Sequence, residues 1–464
     1  MSDSKLHTPF AVTVELLSPL HIGTGTELLL DYDIVPHDGH TYRVDEEALL
    51  AHALLSAEAQ GAAAVNRLLA GRPAAELLVA ADFGDPHSPL FRYVLPGTPF
   101  TTTPGAKVWE QIKDVHDRLY LPGSSLKGAL RTVLAWGLYT TQQRKPDLAR
   151  LGRSRSWAAQ ALGRDLFGMD PNHDWLRALH VEDSQPREPA GRLALRTVQV
   201  YPAGLPIDAE VVEPGTVFHL TITVDEYGFQ QQVARQLGWQ GKRHWLEQLV
   251  KLGRSHAMER LGQEIAYHQK NGPPAALAFG QRLQELSQTL APDEFLLQIG
   301  WGAGWESKTL GSDLIRQDDR AFERLLSQYR MTKERNRQPG DPFPKSRHLV
   351  LRDGWPTEPL GWVRVRLEGW EAMAAVPPEA AEVKPVVRPA PAPAPAGRQT
   401  GRVARFFEQR GFGFIRPDEG GPEVFVHIND VANTRSLQEG QRVAYDVVMG
   451  DKGTRAIKVM VLAG

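Results

Sequence analysis

The sequence predicts an α+β chain with two folded parts. A large mixed body covers residues 1–375, in approximate halves 1–210 and 211–375, and a small all-β module covers 399–464. Three observations predict this division. In the body, segments with apolar residues at every second position recur between apolar stripes at helical spacing. From residue 376 to 398 Pro and Ala dominate and alternate over 389–396, which favours extended polyproline backbone and builds no core. Beyond that tether, strand-like patterns crowd into 401–427.

The elements follow in order. Residues 10–17 read as a strand, with Val12, Val14 and Leu16 alternating with Thr and Glu. Residues 18–25 break it into a loop carrying Gly23 and Gly25. Residues 45–59 read as a helix. Residues 121–131 read as a turn followed by a helix, with Ser124 as N-cap and Leu126, Leu130 and Val133 as an apolar stripe. Residues 217–224 alternate as a strand, and 231–290 are helical with a break at 271–274. A strand at 295–300 enters a second Gly-rich loop, and 362–367 form the last strand of the body. No short tandem repeat appears, although each half holds strands and a Gly loop.

Composition bounds the function. At 464 residues the chain has room for two or three domains, and 42% hydrophobic with 23% charged residues is the balance of a globular protein. No apolar run reaches bilayer length and no signal peptide is evident, so a cytoplasmic location is expected, with no membrane partner. Cys is absent, which excludes disulfides, thiolate zinc sites and Cys nucleophiles. No carboxylates stand at metal-ligand spacing, and no cofactor is expected. The formal charge of −2 means that any nucleic-acid contact comes from local patches.

Two body segments carry candidate chemistry. At 121–131 the first N–H groups of the helix favour anions, and Ser124 and Ser125 add hydroxyls. Lys127 and Arg131 are four apart on one face, and Gly128 lets a backbone approach. Together these suit a phosphodiester; the plainer reading is a capped helix with a solvated basic edge. The second segment is 300–309, where Gly300, Gly302 and Gly304 alternate with Trp301 and Ala303 before Trp305 and Lys308. Such loops form anion nests. The segment is also a near miss to a P-loop, with Ser307 where the second Gly belongs, followed by Lys308 and Thr309. Base stacking or subunit packing suits its Trp residues better than ATP. His21 in the first Gly loop, near Asp31 and Asp33, is the candidate general base of a metal-independent ribonuclease. A structural loop His is the plainer reading. The cluster at 180–183, His180 to Asp183, reads as a strand end.

In the tail, strand alternation puts Phe412 and Phe414 on one face and Gly411, Gly413 and Ile415 on the other. Phe425 and His427 likewise oppose Val424 and Val426. Buried Val and Ile with an exposed row of rings suit base stacking, and Arg402, Arg405, Arg410 and Arg416 suit phosphates. The segment resembles a cold-shock domain, a small barrel of the oligonucleotide-binding (OB) kind. The resemblance implies that Arg405, Phe406, Phe412, Phe414, Phe425 and His427 bind single-stranded RNA or DNA. Arg405 stands where the family has Trp, and Arg stacks through its guanidinium plane.

The motifs at 18–35, 119–134, 299–309 and 343–367 occur in family order for the RAMP superfamily of CRISPR-associated proteins. More narrowly the body resembles the fifth-subunit family of the type III-A (Csm) effector. That resemblance implies ferredoxin-like (RRM-like) units with a helical insertion and a grip on crRNA rather than catalysis. The contacts would come from His21, Gly23, Gly25, Ser124, Ser125, Lys127, Gly128, Arg131, Gly302, Gly304, Trp305 and Lys308. It implies neighbouring Csm subunits as partners, capping of the complex at the crRNA 3′ end, and a link to 3′-end maturation by recruited nucleases.

Overall fold

The computed structural model describes residues 6–58, 62–63, 72–85, 87–142, 147–311, 318–332, 338, 341–375, 399–407, 411–431, 437–450 and 453–462. The Ala/Pro tether expected at 376–398 and Arg410 lie outside these residues. The chain divides into two compact units, Met1–Ala380 and Ala381–Gly464.

In the first unit the strands are β1 His7–Leu16, β2 Gly23–Leu29, β3 Ile34–His37, β4 His40–Val44, β5 Phe91–Pro96, β6 Lys107–Gln111 and β7 Leu179–Val181. They continue with β8 Leu193–Tyr201, β9 Pro206–Val212, β10 Val217–Asp225, β11 Glu294–Gln298, β12 Arg347–Arg352, β13 Trp355–Pro359 and β14 Trp362–Leu367. The helices are α1 Glu46–Glu58, α2 Gly123–Thr141, α3 Gln160–Phe167, α4 Gln231–Leu237 and α5 Arg243–Glu247. They continue with α6 Leu249–Asn271, α7 Pro274–Gln288 and α8 Asp319–Gln328.

A five-stranded antiparallel sheet runs β11-β14-β1-β10-β7. Here β1, α2 and β7 form a β-α-β unit with β10 inserted antiparallel between the two strands. After α6, β14 returns to the other side of β1. This is the ferredoxin-like order with β11 added at one edge. One face is the body's core: Val12, Val14 and Leu16 of β1 with Phe218, Ile222, Val363 and Val365 meet the stripe Leu126, Leu130, Val133 and Leu134 of α2. Fully burying such side chains contributes roughly 1.5–3 kcal/mol each. At Gly253 of α6 an added Cβ would sit 2.4 Å from the Phe295 ring, so only Gly allows this helix to lie so close to β11. Pro274 opens α7 at its first turn, where a missing N–H costs nothing; this produces the break between α6 and α7.

A six-stranded sheet runs β13-β12-β8-β9-β6-β2, with only β6 and β9 parallel, and a three-stranded sheet runs β3-β4-β5. Both larger sheets take strands from either side of residue 210, so the two sequence halves interleave in space. Among the described residues no helix is long and apolar enough to cross a membrane.

The second unit is a closed barrel in the order β15-β16-β17-β19-β18, with β15 Gln399–Phe407, β16 Phe412–Pro417, β17 Val424–His427, β18 Arg442–Gly450 and β19 Gly453–Val461. Closure leaves no free sheet edge. Its core is Val403, Ile415, Val424, Val426, Leu437, Val443, Tyr445, Ala456 and Val459.

Candidate nucleic-acid interface

The barrel presents the aromatic row that strand alternation predicts. In the register Phe412 faces His427 and Phe414 faces Phe425, so the four share one surface while Ile415, Val424 and Val426 point inward. The rings of Phe412 and Phe425 are stacked, with centroids 5.8 Å apart. Phe414 stands edge-on to both, at 6.4 and 6.0 Å. Their flanks are half-exposed. Phe406 departs from the expectation. A β-bulge between Val403 and Arg405 shifts the alternation of β15, so Phe406 packs on the barrel core. Its neighbour Phe407, 45% exposed, joins the row instead, 5.3 Å from Phe412. The Arg405 guanidinium lies over the Phe414 ring at 5.1 Å and pairs with Glu423 at 3.5 Å. Glu423 also holds Arg416, at 3.2 Å, and one carboxylate thus restrains both cations beside the rings.

In the body the first Gly loop, the second Gly-rich loop and the turn before β14 converge. The Trp301 N–H donates to the His21 carbonyl at 2.8 Å, the Ile299 N–H to Gly361 at 2.8 Å, and the Gly361 N–H to Pro19 at 2.9 Å. Gly300, Gly302 and Gly304 have φ of 75°, 83° and 76°. Their alternation with Trp301 and Ala303 follows the φ pattern that anion nests use, with the Trp301 N–H already taken by His21. Gly304 and Lys308 are exposed, and a Cβ at Gly304 or Gly25 would meet nothing within 4 Å, so both glycines face open space. Gly23 is exposed on β2, its Cα beside the His21 ring.

His21 itself is 1% exposed. Its Nδ1 lies 2.7 Å from the Glu210 carbonyl, and its ring packs against Trp301 and Trp109. Burial lowers its pKa against the opposing pull of the Glu210 hydrogen bond, so it is a neutral core histidine rather than an exposed base. Asp33 accepts the Leu29 N–H and pairs with Arg43, a structural role. Trp305 is half-buried rather than openly exposed for stacking: it packs on Phe322 and Phe343 and fills the space beside Gly311. Ser307 is buried and donates to Gln298, whose amide donates to the Leu360 carbonyl. A P-loop would need that position as an open glycine.

The turn at 121–131 is built differently from the sequence expectation. The N-cap is Pro122, with no side-chain cap, so Ser124 falls inside α2. The free Gly123 N–H is taken at 2.7 Å by the Asp183 carboxylate, which occupies the anion position of this helix start. A Cβ at Gly123 would lie 2.3 Å from the Val181 carbonyl, so β7 fixes the turn. Lys127 donates to the Leu179 carbonyl at 2.7 Å, and burial lowers its pKa. Arg131 pairs with Asp174 at 2.6 Å and covers the Phe167 ring at 3.7 Å. Ser124 and Gly128 are exposed and Ser125 half-exposed. This turn and the Gly-rich loop belong to opposite edge strands, β7 and β11, about 19 Å apart at the usual strand spacing. They are separate surfaces.

Sequence reasoning missed the buried network beside His21. Glu210, 0% exposed, accepts from Lys113 at 2.6 Å, Tyr93 at 2.8 Å and the Gln111 N–H at 3.0 Å. It also missed the ring cluster of Trp109, Trp301 and His348, with centroids 4.6 and 4.8 Å apart. Partners a hundred residues apart leave no local signal.

The RAMP superfamily model matches residues 13–307, and the 'Cold-shock' DNA-binding domain model matches 399–462. The chain belongs to the RAMP superfamily and carries a C-terminal cold-shock domain. Among solved structures, T. onnurineus Csm5 superposes with a TM-score of 0.53 at 25% identity, over 76% of this chain and 99% of that one. A chain of the Csm-crRNA-target RNA ternary complex of a type III-A CRISPR-Cas system superposes with a TM-score of 0.55 at 24% identity, over 77% of this chain and 100% of that one. The second likeness is one of fold. The tail is 48% identical over 67 residues to the major cold shock protein CspA of Pseudomonas aeruginosa, covering 14% of this chain and 96% of that protein. It is 45% identical over 65 residues to the cold shock-like protein CspG of Shewanella violacea, covering 14% of this chain and 93% of that protein.

Proposed function

We propose that this protein is a non-catalytic crRNA-binding subunit of a type III-A CRISPR effector. It caps the complex at the crRNA 3′ end, in the cytoplasm, and assists assembly and 3′-end maturation by recruited nucleases. The observation that carries the reading is the likeness to Csm5 over 76% of the chain, together with RAMP membership. The nest of Gly302 and Gly304, with Lys308 beside it and Gly23 and Gly25 nearby, is the body's main surface for the sugar–phosphate backbone. Ser124, Ser125 and Gly128 offer a second contact. Lys127 and Arg131 join it only by leaving Leu179 and Asp174. The burial of His21 supports reading the body as non-catalytic. In the tail, Phe407, Phe412, Phe414, Phe425 and His427 with Arg405 take an RNA or DNA single strand. The test is reconstitution of a Csm effector with and without this chain. The expected result is loss of the terminal cap and longer, ragged crRNA 3′ ends in its absence. Unchanged composition and 3′ ends refute the reading. Metal-independent cleavage of crRNA precursor that is abolished by His21→Ala supports an endoribonuclease instead.

A further inference from the structure

Residues 148–164 contain four Arg and no acidic residue, in a chain whose net charge is −2. Arg150 is neutralised by Asp165, at 2.7 Å. Arg153, Arg155 and Arg164 are exposed and pair with no carboxylate among the described residues. Between them Trp157 is 59% exposed and stacks on no described ring. The segment is a built loop rather than a loose end. The Gly152 N–H donates to the Ala158 carbonyl at 3.3 Å and the Trp157 N–H to Ser154 at 3.0 Å. A Cβ at Gly152 would lie 2.2 Å from the Trp157 carbonyl, so the turn closes only on glycine. The Tyr329 hydroxyl, just past α8, donates to the Gly152 carbonyl at 2.7 Å and anchors the loop to the body.

A large exposed indole flanked by unpaired guanidinium groups is costly in water and suits one kind of ligand: an unstacked base with phosphates on either side. An apolar protein partner would leave the guanidinium groups without acceptors, so the charge favours nucleic acid. The position supports the same choice. Helix α8 is about 15 Å long at 1.5 Å per residue. Its first turn packs Phe322 on Trp305 of the Gly-rich loop, and its far end reaches Gly152 through Tyr329. Arg320 and Arg324, one turn apart on α8, are exposed and pair with no carboxylate among the described residues. Helix α8 thus links the Gly-rich loop to Trp157, with Arg320 and Arg324 interspersed with Asp319 and Glu323 along it.

We infer that the loop of Arg153, Arg155 and Trp157 is a further RNA-binding site of the body, which stacks one base of a single-stranded segment leaving the Gly-rich loop. This rests on the reading of the body as an RNA holder. The test uses the full chain with Phe412→Ala and Phe425→Ala, so that the tail does not dominate, and a uridine oligonucleotide carrying thiouridine. Crosslinks to the peptide holding Trp157 are expected. Trp157→Ala should weaken binding about tenfold, and Trp157→Phe should keep most of it. Arg153→Ala with Arg155→Ala should lower the slope of log affinity against log salt by about 1.4, two contacts at about 0.7 each. Unchanged affinity in these variants, with a loss on Lys308→Ala, overturns the site and leaves the RNA-holding reading standing. No RNA binding by any version overturns both. Preference for a thymidine deoxyoligonucleotide overturns the assignment to RNA. A co-purifying protein lost on Trp157→Ala with RNA affinity unchanged assigns the loop to protein docking and overturns the inference.

Discussion

Removing the stacked rings of the tail should cost affinity without changing its salt dependence. The perturbation is Phe412→Ala with Phe425→Ala, the pair whose centroids lie 5.8 Å apart. Neither ring belongs to the barrel core of Ile415, Val424 and Val426, so the fold should survive. A stacked base contributes roughly 1–3 kcal/mol. The two rings share one platform with Phe414, and the loss of a single base is the conservative estimate. At about 1.4 kcal/mol per factor of ten, that is at least about tenfold in dissociation constant. The assay is fluorescence anisotropy of uridine and thymidine oligonucleotides with isolated residues 399–464. That segment should fold alone, because its curated relatives consist almost wholly of it. The rings carry no charge, so the salt slope should stay fixed, whereas Arg405→Ala should lower it by about 0.7. A folded double variant that binds within twofold of the parent, or whose salt slope falls, refutes stacking as the basis of binding.

Four further outcomes follow from particular contacts. Arg405→Trp should tighten single-strand binding severalfold in the same assay, because a larger ring replaces the guanidinium over Phe414. Glu423→Gln should also tighten binding, by about threefold at low salt and less at high salt, because Glu423 holds both Arg405 and Arg416. Tyr445→Phe should raise the stability of the isolated tail by about 1 kcal/mol in urea unfolding, since its hydroxyl is buried in the barrel with no hydrogen-bond partner among the described residues. In the body, burial lowers the pKa of His256 to about 3, so the folded state keeps it neutral while the unfolded chain takes up a proton below about 6.5. Stability is therefore complete above that pH and falls as pH drops, with about 2 kcal/mol lost from His256 by pH 5; His256→Gln should flatten the urea-midpoint profile between pH 7 and 5, and an unchanged profile would refute it.

Much of the fold was legible because its signals are local. Alternation located β10 and β14 to within a residue and β1 to within three, and the two prolines at 273–274 marked where α6 gives way to α7. The aromatic row of the tail followed from period-two geometry, because Phe412, Phe414 and Phe425 sit in regular ladders. Phe406, expected among the binding rings from the cold-shock resemblance rather than from alternation, instead packs partly on the barrel core. The bulge at 403–405 inserts one residue into β15 and inverts the faces after it, and nothing in the residue pattern announces a bulge without a glycine. Helix α2 shows the same limit in charge rather than in faces. Its apolar stripe was readable, yet whether Lys127 and Arg131 are available to phosphate depends on Leu179 and Asp174, more than forty residues away. His21 was singled out for being in a glycine loop, whereas its chemistry is decided by Trp301 and Glu210, which bury it and fix its ring. Spacing therefore identifies which cations lie on one face, but not which of them already have partners. Among the described residues the cations that pair with no carboxylate include Lys308 and the guanidinium groups beside Trp157, and these are the ones proposed for RNA together with the glycines at 302 and 304. By this argument, looking for unpaired cations beside exposed rings brings up a candidate, the loop of Arg153, Arg155 and Trp157, that motif spacing passes over.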